Sequence, residues 1–176
     1  VPESAVVPLA HSLDTVGPLT RTVEDAALIL GLIAGPDPAD PTAAAEPVPD
    51  YLAALKRGAK GLRVGVPTSF FTEVDSETQL TLQQAQRVFA SLGAELVEVA
   101  MPDIDRLNAF CSMVLSCEAA TIHREWLRTR SQDYSGQVRA RLEAGIQIPA
   151  AFYLDAMRAR GAMLDDFGAK VFATCD

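Results

Sequence analysis

Histidine and cysteine are scarce in this chain of 176 residues, which holds only His11 and His123, and Cys111, Cys117 and Cys175. The odd cysteine number and the lack of any Cys-x-x-Cys pair argue against a disulfide framework or a zinc site, and suit reduced thiols in a cytoplasmic protein. Cation excess is missing too: 15 Lys and Arg stand against 23 Asp and Glu, for a formal charge of −8 and a pI near 4.7. A surface of that sign offers no footing to phosphate backbones or anionic membranes, so direct contact with nucleic acid is not expected. No apolar run approaches the roughly 20 residues that a membrane-spanning helix needs. Gly-x-Ser-x-Gly is absent, which removes the nucleophile elbow, and so is a Gly-Lys-Ser/Thr phosphate loop. An initiating methionine is absent as well. Val1 and the abrupt end "VFATCD" read as two cut flanks, and with the true start out of view the lack of a leader says nothing about export.

What is present describes a globular α/β piece. Hydrophobic residues make up 49% and charged residues 22% of the chain, with a mean hydropathy of +0.14. The stretch "AHSLDTVGPLTRTVEDAALIL" runs from a loop of small, hydroxylic and acidic residues into a helix expected over 23–34. Thr22 is its cap, Asp25 the reciprocal partner of a capping box, and Gly35-Pro36 the stop. Beyond its first turn this helix has no polar face, the signature of a helix surrounded by protein and so of a larger parent. Five prolines in "GPDPADPTAAAEPVPD" imply an irregular surface connection, after which Asp50 caps a short helix, "YLAALKRG". A buried strand is expected at 62–67, then the loop "TSFFTEV", a helix from the Asp75 cap to about Leu92, and a strand in "AELVEVAMP". Strand, helix and strand of this length predict a right-handed βαβ crossover with a parallel pair. The rest reads as helices at about 106–128, from Ser135, and from Pro149 to about Phe172.

No complete catalytic constellation emerges from these residues. Ser12, His11 and Asp14 are too close in an extended loop to form a relay, and a structured loop is the better reading. Cys117 and His123, six apart on one helix, fall on opposite faces. Glu118 interrupts the apolar stripe Cys111, Leu115, Ile122, so it needs a partner: an internal arginine is the first expectation, a substrate pocket the second. No metal site is expected.

The segment "VPLAHSLDTVGPLTRTVEDAALILGLIAGPDPADPT" resembles the amidase signature family just after its catalytic motif. Ser12-Leu13-Asp14, Gly17-Pro18, Thr20-Arg21-Thr22, Asp25-Ala26-Ala27 and the Asp37-Pro38/Asp40-Pro41 pair stand in family order without gaps. "LKRGAKGLRVGVP", "LGAELVEVAMP" and "RARLEAGIQIPAAFYLDAMRAR" extend the resemblance over essentially the whole chain. It implies a mixed central sheet flanked by helices, of which residues 1–176 form one partial, interior domain: one βαβ unit and a mostly helical second half.

The resemblance also implies a chemistry in which a serine attacks a carboxamide, aided by a cis-serine, a proton-shuttling lysine and backbone amides as oxyanion hole. Those groups belong to a Gly/Ser-rich signature upstream of Val1. No Gly-Gly-Ser or Ser-Ser-Gly occurs in the chain, and Lys56, Lys60 and Lys170 have no matching context, so no catalytic residue is expected within it. Carried over by position, Ser12 and Asp14 brace the catalytic core and Gly17-Pro18 form the turn that follows. Cys117, Glu118 and Thr121 lie on a helix that approaches the acyl pocket. The implied partner is a small-molecule amide, with no cofactor and no membrane, and a homodimer stays open. "EAATIHREWLRTR" departs from the Asn-Leu-x-Arg-aromatic-Asp-Gly string of the glutamine-dependent transamidases. That departure favours a stand-alone amidase, with the A-subunit of the glutamyl/aspartyl-tRNA amidotransferase as the alternative and a non-catalytic scaffold as the third reading.

Overall fold

The computed structural model describes residues 1–176 except Thr68 and Thr72. Part of the expected 68–74 loop therefore lies outside the described residues. The elements in chain order are α1 (Val23–Ile33), α2 (Tyr51–Leu55), β1 (Arg63–Pro67), α3 (Ser76–Ser91), β2 (Glu95–Val99), α4 (Ile104–Arg130), a 3-10 turn (Ser131–Asp133), α5 (Gly136–Ile146) and α6 (Ala150–Val171). The protein is thus mixed α/β, mostly helical, with a small parallel sheet. By packing, the chain divides into two compact units, Val1–Arg57 with Met113–Ile148, and Gly58–Ser112 with Pro149–Asp176.

Caps legible in the sequence set the helix starts. Thr22 Oγ1 accepts the Asp25 amide at 3.0 Å, Asp50 accepts the Ala53 amide at 2.9 Å, and one Asp75 oxygen accepts the amides of Glu77 and Thr78 at 3.0 and 2.9 Å. Each satisfies amides that the first helical turn leaves without a partner. Ser135 does the same for α5 through the Val138 amide, and Pro149 opens α6.

In the second unit β1 and β2 pair in parallel from Arg63↔Glu95 to Pro67↔Val99, with α3 as the connection a parallel pair requires. The register is extended before the sheet by Gly61, whose amide donates to Gly93 O at 2.9 Å; both glycines have positive φ. Gly65 lies in the middle of β1 because Cys175 packs against it: a Cβ there would stand 2.9 Å from the Cys175 sulfur. The expectation of a buried β1 is corrected. Arg63 is exposed, the other four residues are half-buried, and Leu62, expected to start the strand, is exposed and outside it. The β-branched run forecast strand type correctly, but among the described residues β1 has only β2 as a strand neighbour.

The first unit centres on Ala119 and Leu127 of α4 and Leu142 of α5, with Tyr134 packed against them. Val114, at 0% exposure, is fully buried on α4. α1 departs from its expected surroundings: Ala27 is buried, but Leu28 and Leu32 are 50% and 78% exposed. Much of its apolar circumference is uncovered among the described residues.

The proline-rich segment is irregular and largely exposed, as expected of a surface connection, with Asp40 as its one buried residue. Asp40 is buried and accepts the Glu3 amide at 2.7 Å, the Thr42 amide at 2.9 Å and the Thr42 hydroxyl at 2.6 Å. Asp37 alongside accepts the Ser4 hydroxyl and the Ala39 amide. Led by the Thr42 hydroxyl and then the Glu3 amide, these donors hold the Asp40 carboxyl down at about 2. A carboxyl lowered on folding stabilises the fold above its unfolded value near 4, and that contribution disappears as pH falls through about 2. We expect the Glu3 amide to be protected from hydrogen exchange at pH 5 and to lose protection between pH 4 and 2. In Asp40→Asn the step in that window should vanish, and an unchanged step would assign it to another group.

Candidate functional site

The loop before α1 is shaped by its own aspartate. Leu13 and Asp14 donate their amides to Ala10 O at 2.9 and 2.8 Å, making a tight turn at 11–13. Asp14 then folds its carboxylate back onto the Leu9 amide at 2.7 Å and the Ala10 amide at 3.0 and 3.1 Å. Ala10 at its base is fully buried. The turn therefore lies upstream of the expected position. Gly17 and Pro18 are in irregular chain, Gly17 is exposed without a positive φ, and an added Cβ there would meet nothing within 4 Å.

Ser12 sits on this turn and reaches α4. Its amide donates to Glu118 Oε2 at 2.9 Å and its hydroxyl to Oε1 at 2.7 Å, across 106 residues of sequence. The structure brings Glu118 the two donors of Ser12, a partner not foreseen from the sequence, where an internal arginine was the first expectation. The expected apolar stripe of α4 is also shifted: Cys111 and Leu115 are exposed, while the buried positions are Val114, Ala119, Ala120 and Leu127. The two phases differ by about one residue, and the alanines that mark the true one carry a weak hydrophobic signal.

Cys117 is half-buried, and burial, with the Glu118 carboxylate second, raises its thiol above the ordinary cysteine range. It is therefore held protonated rather than activated as a thiolate. Thr121 is exposed and donates its hydroxyl to Cys117 O at 2.8 Å, within its own helix. His123 pairs through Nδ1 with the Tyr134 hydroxyl at 2.8 Å, and its ring lies edge-on to Trp126, over which the Arg130 guanidinium stands 5.2 Å from the ring centroid. That aromatic group was not singled out from the sequence, because Tyr134 lies beyond the end of α4 where helical spacing gives no guide.

Thus the structure brings Ser12 and Glu118 together, with Asp14 shaping the loop between them and Cys117 beside Glu118 in sequence. It gives Gly17, Pro18 and Thr121 no described contact with that pair. Among the clefts formed by the described residues, one in the second unit of about 380 Å³ is lined by Val64, Val66, Leu82 and Phe89 among others, and another there of about 370 Å³ by Asp103, Arg106, Asp166 and Lys170 among others; neither is lined by the site residues above. Among the described residues no group of three or more His, Cys, Asp or Glu could hold a metal ion. No helix among them is long and apolar enough to cross a membrane.

Comparison with known proteins supplies the frame for this arrangement. The chain is 44% identical over 161 residues to an amidase of Pseudomonas putida, covering 91% of this chain and 34% of that protein. It is 36% identical over 196 aligned positions to the A-subunit of the glutamyl-tRNA(Gln) amidotransferase of Trichlorobacter lovleyi, covering 97% and 40%. Among solved structures it superposes with a TM-score of 0.83 and 32% identity, over 93% of this chain and 35% of the other, on a protein of an unexpected vestigial complex that reveals the evolutionary origins of an s-triazine catabolic enzyme. The chain therefore spans between a third and two fifths of the length of these two curated relatives. With the Amidase family model matching residues 1–176 throughout, the chain belongs to the amidase family.

Proposed function

We propose that the parent protein is an amidohydrolase that cleaves a small-molecule carboxamide by a serine, cis-serine and lysine mechanism, and that residues 1–176 are an interior piece of its single catalytic domain. The observation that carries this reading is the 44% identity to an amidase over 91% of the chain. The nucleophile, the cis-serine and the base then belong to the part of the parent outside this chain, because no serine-rich signature stands within it. A lysine whose burial lowers its pKa would take the serine proton, and backbone amides would receive the developing oxyanion. Within the chain, Ser12 and Asp14 brace the core, Gly17 and Pro18 carry the chain on towards α1, and the helix face of Cys117, Glu118 and Thr121 borders the acyl pocket. The reading places the protein in the cytoplasm, without direct nucleic-acid contact.

Similarity to the amidotransferase A-subunit over 97% of the chain supports a second reading, in which the parent works with partner subunits on charged tRNA. The sequence "EAATIHREWLRTR", unlike the transamidase string, favours the first. The full-length parent, incubated with benzamide in the absence of ATP, glutamine and tRNA, should release ammonia at enzyme-like rates. Ammonia release from glutamine only when partner subunits and charged tRNA are present would replace the first reading with the second.

A further inference from the structure

Asp14 spends its carboxylate on amides of its own loop, and so fixes the loop's shape but not its place. The placing contact is the two-point attachment of Ser12 to Glu118, one donor to each carboxylate oxygen at 2.9 and 2.7 Å. It is half-buried, and it springs from a stretch of α4 whose neighbouring Val114, Ala119 and Ala120 are buried, so the helix carrying it is itself held in place. From this geometry we infer that Glu118 is a positioning residue: it seats the 9–14 loop against α4, and the loop seated in this way holds the adjoining catalytic segment of the parent in register. The inference rests on the amidase reading above, and it assigns Glu118 a role through Ser12 rather than through substrate.

The role is one of acceptor geometry. A carboxylate offers only acceptors, and Ser12 presents two donors at the correct separation. Glutamine can preserve both contacts, its carbonyl accepting the Ser12 amide and its NH2 donating to the Ser12 hydroxyl oxygen, which can turn to accept. Alanine leaves a half-buried amide and hydroxyl without this partner.

The test uses the full-length parent and two readouts: hydrogen exchange at the Ser12 amide, and the rate at which a fluorophosphonate probe labels the nucleophilic serine. Glu118→Ala should speed Ser12 exchange and slow labelling by about tenfold each, the scale of a lost hydrogen bond to a charged group. Glu118→Gln should recover both to within about threefold, which general destabilisation of α4 would not produce. Ser12→Ala, which removes the hydroxyl contact and keeps the amide one, should slow labelling by about threefold. Unchanged exchange and labelling in both alanine variants overturn the inference, and Glu118→Gln as damaged as Glu118→Ala overturns its geometric basis. A wild-type parent that the probe does not label at all overturns the amidase reading instead.

Discussion

Gly145→Ala in the parent protein should lower stability by about 3 kcal/mol or more, the upper range for overpacking a tight interior. Gly145 is buried in the last turn of α5, and a Cβ built on it would stand 2.7 Å from the Ser116 carbonyl carbon and 2.9 Å from Ala120 Cβ, with the Ser116 oxygen nearer still. The obstacle is helix backbone, which cannot turn aside as a side-chain tip can. Relief requires α5 to move off α4, and that movement opens the packing of Leu142 on Ala119 and Leu127. Helix propensity works in the opposite sense, since alanine is favoured over glycine by about 1 kcal/mol in a helix interior. The comparison that isolates the clash is Gly161→Ala in α6, where an added Cβ meets nothing within 4 Å. That variant should gain about 0.5–1 kcal/mol. Denaturant midpoints of the two variants should therefore move in opposite directions from wild type. If Gly145→Ala moved with Gly161→Ala, α5 would not approach α4 as closely as described.

The same crossing shows what the sequence could and could not convey. Helix starts were legible because Thr22, Asp50, Asp75 and Ser135 act within three residues of themselves. The parallel pair was legible because two β-branched runs bracket a capped amphipathic helix, an arrangement with few solutions. The buried face of α4 was not: Ala119 and Ala120 are buried as small spacers that admit α5, and small residues contribute little to a periodicity dominated by Leu and Ile. Burial of β1 and α1 was overestimated for a related reason. Their sequences are as apolar as those of covered elements, and the chain spans only 34 to 40% of the length of two curated relatives; on the proposed reading, the covering neighbours belong to the rest of the parent. In the site, Glu118 was legible as a carboxylate in need of a partner, whereas Ser12, the partner it takes 106 residues earlier, was beyond any local pattern. Asp40 was hidden differently: Asp-Pro and Pro-rich composition signals an exposed loop, and says nothing about which one of its side chains turns inward to take donors from a distant segment.

The largest expected effect is chemical: residues 1–176 alone should not hydrolyse amides. Enzymes of this kind must supply a rate enhancement of about a million-fold or more, through a nucleophile, a base within hydrogen-bond reach and donors for the oxyanion. The nucleophile-bearing side chains of the site have other occupations. Ser12 donates to a glutamate, Thr121 to the carbonyl of its own helix, and Cys117 is kept protonated by burial. Cys175 is buried with its thiol on Val171 O at 2.8 Å, and His123, whose imidazole is the obvious candidate base, is turned to Tyr134. In the described hydrogen bonds Ser12 is the one nucleophile of this set joined to a group that could act as a base, the Glu118 carboxylate, and that pair is spent on seating the loop. Purified chain given benzamide should release ammonia no faster than buffer, while the full-length parent turns over. A second assay separates a missing nucleophile from a misfolded chain: hydrogen exchange should show the Ser12 amide protected wherever the isolated chain is folded, even though turnover is nil. Ammonia release by the isolated chain, lost in a Ser12→Ala variant, would make Ser12 itself the nucleophile and Glu118 its base, and would overturn the division of labour proposed between this chain and the rest of its parent.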